Sequence, residues 1–284
     1  MKNLSVRSSL HDPLNNFFFY KVFGEKGDEP QLLGFINAVL GKTGGDMFTS
    51  VEILENKSFM SDIIGGKSCV LDVSAQLRSG AMVNVEVQLR DNHNMNRRSL
   101  YYMSREYNKR LKAGQDYNDL PDLIAINIVN YDFPPAKSFH SCFRLREDTE
   151  PDIILTNALE IHYINMVKYR KQLRKDQGRN GLDDPLFRWL TWFNKDSPPE
   201  VLEEVIKMDM AIQTADERFK HITDITDDEW DAYYRHILAK HDRAAEIDFA
   251  RNSGHAEGQA EVLALLAHKL SVAEIEEIKS QLGR

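Results

Sequence analysis

Between residues 71 and 89 the chain largely alternates apolar and polar side chains, with an interruption at Arg78-Ser79-Gly80. A period of two marks a half-buried strand, so the stretch reads as a β-hairpin. Leu71, Val73, Ala75 and Leu77 share one face of the first arm, and Asp72, Ser74 and Gln76 the other. In the second arm Val83, Val85, Val87 and Leu89 are set against Met82, Asn84, Glu86 and Gln88. A two-residue turn would place polar positions opposite apolar ones. A three-residue loop over Arg78-Ser79-Gly80 aligns apolar with apolar, and puts Gly80 where a bulged turn needs positive φ. In that register Asp72 stands opposite Glu86, with Cβ atoms about 4.5–5.5 Å apart. Neighbouring carboxylates repel unless neutralised, and a hard divalent cation with oxygen ligands does this well. A solvent-facing polar stripe would give the same pattern.

A chain of 284 residues accommodates one large domain, or a domain with a helical extension. Its two cysteines, Cys69 and Cys142, have no metal-ligand partner at the usual sequence spacing. They read as buried thiols of a reducing compartment. The nine histidines show no metal spacing either. With no signal-peptide core and no apolar run of bilayer length, a cytoplasmic protein without membrane contact is expected. The net charge of −8 is unevenly spread. Arg97, Arg98, Arg105, Lys109, Arg110 and Lys112 cluster against Glu106 alone, and Lys168, Arg170, Lys171, Arg174, Lys175 and Arg179 against Asp176 alone. Two basic segments in an acidic protein can grip phosphates. They can equally be solvated helix faces.

Along the chain, Asp12-Pro13 suggests a helix start. A second helix is expected over 30–40, and a strand over 48–54 ahead of the hairpin. A long helix over 95–112 follows, placing Arg98, Tyr102 and Arg105 on one side as a basic, aromatic face. Phe17, Phe18, Tyr101 and Trp189 read as core. Residues 123–129, 139–145 and 159–166 read as strands. Asp184-Pro185 opens an aromatic helix, and the chain is helical and acidic from Glu200 onward. The pattern is α/β, a mixed sheet covered by helices. A soft boundary near 180 separates a domain over 1–180 from a helical region over 181–284, expected to serve oligomerisation or regulation.

Residues 12–24 (Asp-Pro-Leu-Asn-Asn-Phe-Phe-Phe-Tyr-Lys-Val-Phe-Gly), Leu71-Asp72-Val73 with Val85-Glu86-Val87-Gln88, Arg98-Ser99-Leu100-Tyr101-Tyr102 and Leu159-Glu160-Ile161-His162-Tyr163 form a set. Together they resemble the recombination-promoting nucleases of bacteria, often labelled transposases, within the PD-(D/E)XK nuclease superfamily. The resemblance covers roughly residues 12–195. It implies a restriction-endonuclease-like core that cuts DNA with Mg²⁺, for which Mn²⁺ can substitute. By the same resemblance Asp72 and Glu86 are metal ligands, with the Val87 carbonyl a third. Gln88 falls where the superfamily usually has lysine, so it offers an amide instead of a charge to orient the attacking water. Asn16 falls where this family tends to have aspartate.

The leading expectation is a Mg²⁺-dependent DNA endonuclease with little sequence preference, linked to recombination or phage defence. Its catalytic residues are Asp72, Glu86 and Gln88, and Arg98, Tyr102 and Arg105 contact phosphates. A homo-oligomer, for instance a dimer, would bring two hairpins to two strands. The alternative is a catalytically impaired nuclease fold that binds DNA or protein, which Asn16 and Gln88 motivate.

Overall fold

A computed structural model describes residues 11–54, 73–91, 93–110, 114, 116–175, 181–224 and 235. Two compact units are present, Met1–Thr226 and Asp227–Arg284, and all described residues except Arg235 belong to the first.

Helix α1 (Asn16–Phe23) is capped by Asn15, whose side chain accepts the Phe17 N–H at 2.9 Å. The expected start at Asp12-Pro13 is a turn early. Asp12 Oδ1 instead accepts the Leu14 N–H at 2.9 Å, a local turn that competes with helix. Helix α2 (Glu29–Val39) follows, then strand β1 (Val51–Ile53) and the hairpin strands β2 (Val73–Leu77) and β3 (Met82–Gln88). Helix α3 (Met95–Arg110) leads to β4 (Leu123–Val129), β5 (His140–Arg146) and β6 (Ile154–Asn165). Helices α4 (Met166–Lys175), α5 (Pro185–Phe193), α6 (Pro199–Met208) and α7 (Met210–Asp224) complete the unit. Asp184 caps α5, accepting the Leu186 N–H at 2.8 Å, with Pro185 in the first turn where its missing N–H does no harm.

The six strands lie in the order β1-β2-β3-β4-β6-β5. β3, β4 and β6 are parallel, and β1, β2 and β5 run antiparallel to their neighbours, so the sheet is mixed. Helix α3 makes the crossover that a parallel β3–β4 pair requires. The hairpin has the expected register, with Val73 opposite Val85 and Ala75 opposite Val83. The loop closes at Leu77 and Ala81, with Gly80 at φ 91°.

Helix α3 packs on one face of the sheet, where Met103 meets Met82, Leu123 and Ala125. A second core is aromatic. Phe23, Phe35, Trp189, Trp192 and Phe193 are fully buried and bring α1, α2 and α5 together. Phe18 of α1 meets Phe219 of α7 edge to face. Gly34 lets α2 approach α7 closely, since a Cβ there would lie 2.5 Å from the Ala211 Cβ. The boundary expected near residue 180 therefore falls inside this packed unit.

Candidate active site

Parallel pairing puts Glu86 of β3, Asn127 of β4 and Tyr163 of β6 in one row across the sheet. The row lies on the face that α3 covers. Burial there demands partners for polar groups. The Tyr163 hydroxyl donates to Ser99 Oγ of α3 at 3.0 Å, Ser99 donates to Asn127 Oδ1 at 3.3 Å, and Asn127 Nδ2 donates to the His162 carbonyl at 3.1 Å. This relay fixes the azimuth of α3 over the strands. One residue before Ser99, Arg98 is thereby aimed at Glu86.

Arg98 Nη2 lies 2.5 Å from Glu86 Oε1. Glu86 is 3 % exposed, whereas Arg98 reaches the edge of the site and its guanidinium sits 5.3 Å from the Tyr102 ring centroid. Burial pushes the Glu86 carboxyl above the ordinary glutamate range, and the Arg98 charge opposes that rise. Arg98 Nε is buried without a hydrogen-bond partner among the described residues. The Tyr131 phenol is pushed up to about 12, mainly by burial, with the charges of Asp91 and Glu86 adding to it.

The hairpin residues expected to act together sit as follows. Asp72 lies outside the described residues. Val87 points its side chain into the core. Gln88 is half-buried, and its Nε2 donates to the Arg90 carbonyl at 3.0 Å. Arg98 faces Glu86, Tyr102 is half-buried beside it, and Arg105 is exposed. Tyr101 is 63 % exposed and does not belong to the core. With Arg97 and Arg105 it forms an exposed row at intervals of four residues along α3, which shares Arg105 with the face expected but has Arg97 and Tyr101 in place of Arg98 and Tyr102. Phe17, Phe18 and Trp189 are buried as expected. Cys142 is exposed, contrary to the buried thiol expected, and Cys69 lies outside the described residues.

The second basic segment is partly used internally. Lys168 pairs with Asp132 at 3.1 Å, and Arg170 donates to Asn130 Oδ1, while Lys171 and Arg174 are exposed. Asn130 follows β4, and its N–H donates to the Gln88 carbonyl at 3.1 Å. Burial lowers the Arg170 guanidinium from its ordinary range, and the charges of Asp196 and Asp12 oppose that fall. Asn16 Oδ1 is buried without a hydrogen-bond partner among the described residues. No helix of the described residues is long and apolar enough to cross a membrane.

The geometry is a mixed sheet with a carboxylate buried on its central hairpin under a basic helix. Comparison with family models matches residues 13–250 to the PD-(D/E)XK nuclease family transposases. The chain belongs to this family. Curated proteins and solved structures gave no match. As a PD-(D/E)XK family member the chain has the fold of a nuclease that acts on DNA, and nucleases of this superfamily typically use divalent metal ions. Of Asn127, Tyr163 and Ser99, which build the floor of the candidate site, Tyr163 and Ser99 lie in segments of the resemblance without a role of their own there, and Asn127 carried no signal beyond its strand. The three come from two strands and a helix and meet only through tertiary pairing.

Proposed function

We propose that the chain is a metal-dependent DNA endonuclease with little sequence preference, serving DNA recombination or phage defence. The observation that carries this is Glu86, a carboxylate buried beneath α3 on strand β3 of the hairpin. Asp72, Glu86 and the Val87 carbonyl would hold Mg²⁺, or Mn²⁺ in its place. The donor set fits. It is all oxygen, it offers two carboxylates to a hard cation, and Glu86 already carries a counter-charge that can be exchanged. When bound, the metal would acidify a water and neutralise charge on the scissile phosphate.

The chain's own groups do the rest. Gln88 would release the Arg90 carbonyl and orient the attacking water through its amide. Arg98, displaced from Glu86, would turn to a phosphate oxygen and stabilise charge developing there. Arg97, Tyr101 and Arg105 would contact the DNA backbone, which positions the duplex without reading its sequence. The Tyr163–Ser99–Asn127 relay would hold α3 at the right azimuth throughout.

One observation favours a second reading. If Arg98 is the permanent partner of Glu86, the protein is a DNA- or protein-binding module that has replaced its metal with an internal cation. Nicking of supercoiled plasmid with Mg²⁺, beside an EDTA control, separates the two. Metal-dependent nicking supports the nuclease. Absence of nicking by folded protein that still binds DNA supports the module.

A further inference from the structure

Strands β5 and β6 bring Cys142 beside Glu160 and His162, which lie about twenty residues further along the chain. Cys142 and His162 are direct cross-strand partners, and Glu160 lies two residues before His162, on the same face. Cys142 Sγ is 3.6 Å from His162 Nε2, and Glu160 Oε2 is 3.2 Å from the same nitrogen. The three ligand atoms all lie within 4.8 Å of one another. Zinc binds sulfur at about 2.3 Å and nitrogen or oxygen at about 2.0–2.1 Å. Around a tetrahedral ion, sulfur and nitrogen ligands are therefore about 3.5 Å apart, and nitrogen and oxygen about 3.3 Å. The two separations to His162 Nε2 already match those that one such ion would impose, and the third ligand pair lies within 4.8 Å.

We propose that Cys142, Glu160 and His162 form a site for a d-block divalent cation of the zinc class. It lies on the sheet face opposite Tyr163 and Glu86 and does not depend on the nuclease reading. The surroundings suit it. Arg144 places Nε and Nη2 on Glu160 Oε1, each at 2.8 Å, which leaves Oε2 turned toward His162. His140 Nε2 lies 3.0 Å from His162 Nδ1, the kind of outer hydrogen bond that fixes the ring and tautomer of a ligating histidine. Burial lowers both imidazoles, His140 to about 4. Partial burial of its sulfur raises the Cys142 thiol.

Metal binding would then proceed with a simple balance. The Cys142 S–H bond breaks, its proton goes to solvent, and a sulfur–metal bond forms. His162 moves its proton from Nε2 to Nδ1, which donates to His140 Nε2, and His140 carries its own proton on Nδ1. Cys142 is exposed, giving the ion an entry path and leaving the fourth tetrahedral position to water. Thiolate and imidazole favour zinc over magnesium, so the site would not compete for the cation of the hairpin. The ion would clip β5 to β6 beside the register shift between Phe143 and Leu145.

The test is a Co²⁺ titration of the full chain, followed by optical absorption. A thiolate-to-cobalt charge-transfer band with tetrahedral ligand-field bands, displaced by Zn²⁺, is expected. Cys69→Ser should keep the band and Cys142→Ser should lose it. His140→Gln should weaken binding by about tenfold or more, as loss of an outer partner does. Circular dichroism checks that each variant is folded. A folded wild-type protein without the band, or a band that survives Cys142→Ser, would overturn the site.

Discussion

Arg98 Nη2 meets Glu86 Oε1 at 2.5 Å beneath a helix that leaves the carboxylate 3 % exposed. A buried charge needs a partner, and here the partner comes from the rim of the site. If a cation takes over this role, Arg98→Ala should be destabilising in EDTA by about 1–3 kcal/mol, less than for a fully buried pair because Arg98 reaches solvent. Mg²⁺ should restore part of that loss. Thermal denaturation in EDTA and in Mg²⁺ checks this, with a larger Mg²⁺-induced rise in Tm for the variant than for the wild type. Equal rises would show that Arg98 and the metal do not share Glu86.

The exposed row on α3 makes a different prediction from the expected face. Arg97→Ala and Arg105→Ala should each reduce the slope of log affinity against log salt by about 0.9, the amount for one phosphate contact on duplex DNA. Tyr101→Ala should weaken binding. Fluorescence anisotropy at several salt concentrations measures all three. Unchanged slopes would move the DNA path off this helix.

Gly34 sits where α2 and α7 nearly touch, with 2.5 Å from a built Cβ to the Ala211 Cβ. Gly34→Ala should destabilise the fold by about 1–3 kcal/mol through overpacking. Adding Ala211→Gly should recover part of the loss, because the two positions share one contact. Urea denaturation of the single and double variants gives the coupling directly. Additive effects would contradict it.

Asp28 is fully buried at the start of α2, 2.8 Å from Arg218 Nε. Burial, opposed by Arg218, raises its carboxyl to about 7 from an ordinary value near 3.8. The folded state thus holds the proton more tightly than the unfolded chain. The stability this contributes is complete below about pH 4 and is lost as pH rises through about 7, on the order of 2–4 kcal/mol. Asp28→Asn should flatten the stability profile over that interval. Parallel profiles for variant and wild type would show that Arg218 keeps the carboxylate ionised.

Much of this fold is written locally. Alternation and the need for Gly80 to take positive φ specified the hairpin register residue by residue, and the apolar run at 123–129 became β4 with the same limits. Capping at Asp184 was equally visible, because the cap and the Pro185 first turn are neighbours in sequence. The errors lie where tertiary contacts decide. Tyr101 sits among apolar and basic neighbours, yet only the packing of Ser99 and Met103 against the sheet shows which side of α3 is outward. The Cys142–His162 pair escaped because twenty residues separate its members, and only the β5–β6 register brings them together. Asp12 misled because an Asp before Pro serves a local turn as well as a helix cap.

The central claim is that the hairpin carboxylates make the site of DNA cleavage. Plasmid nicking in Mg²⁺ by wild type, Asp72→Ala and Glu86→Ala, at matched fold and DNA binding, tests it most directly. Rates should fall at least about 100-fold in each variant, since even outer partners of metal ligands are worth about 10–100-fold. Cleavage that persists in a folded Glu86→Ala protein would place the chemistry elsewhere on the chain.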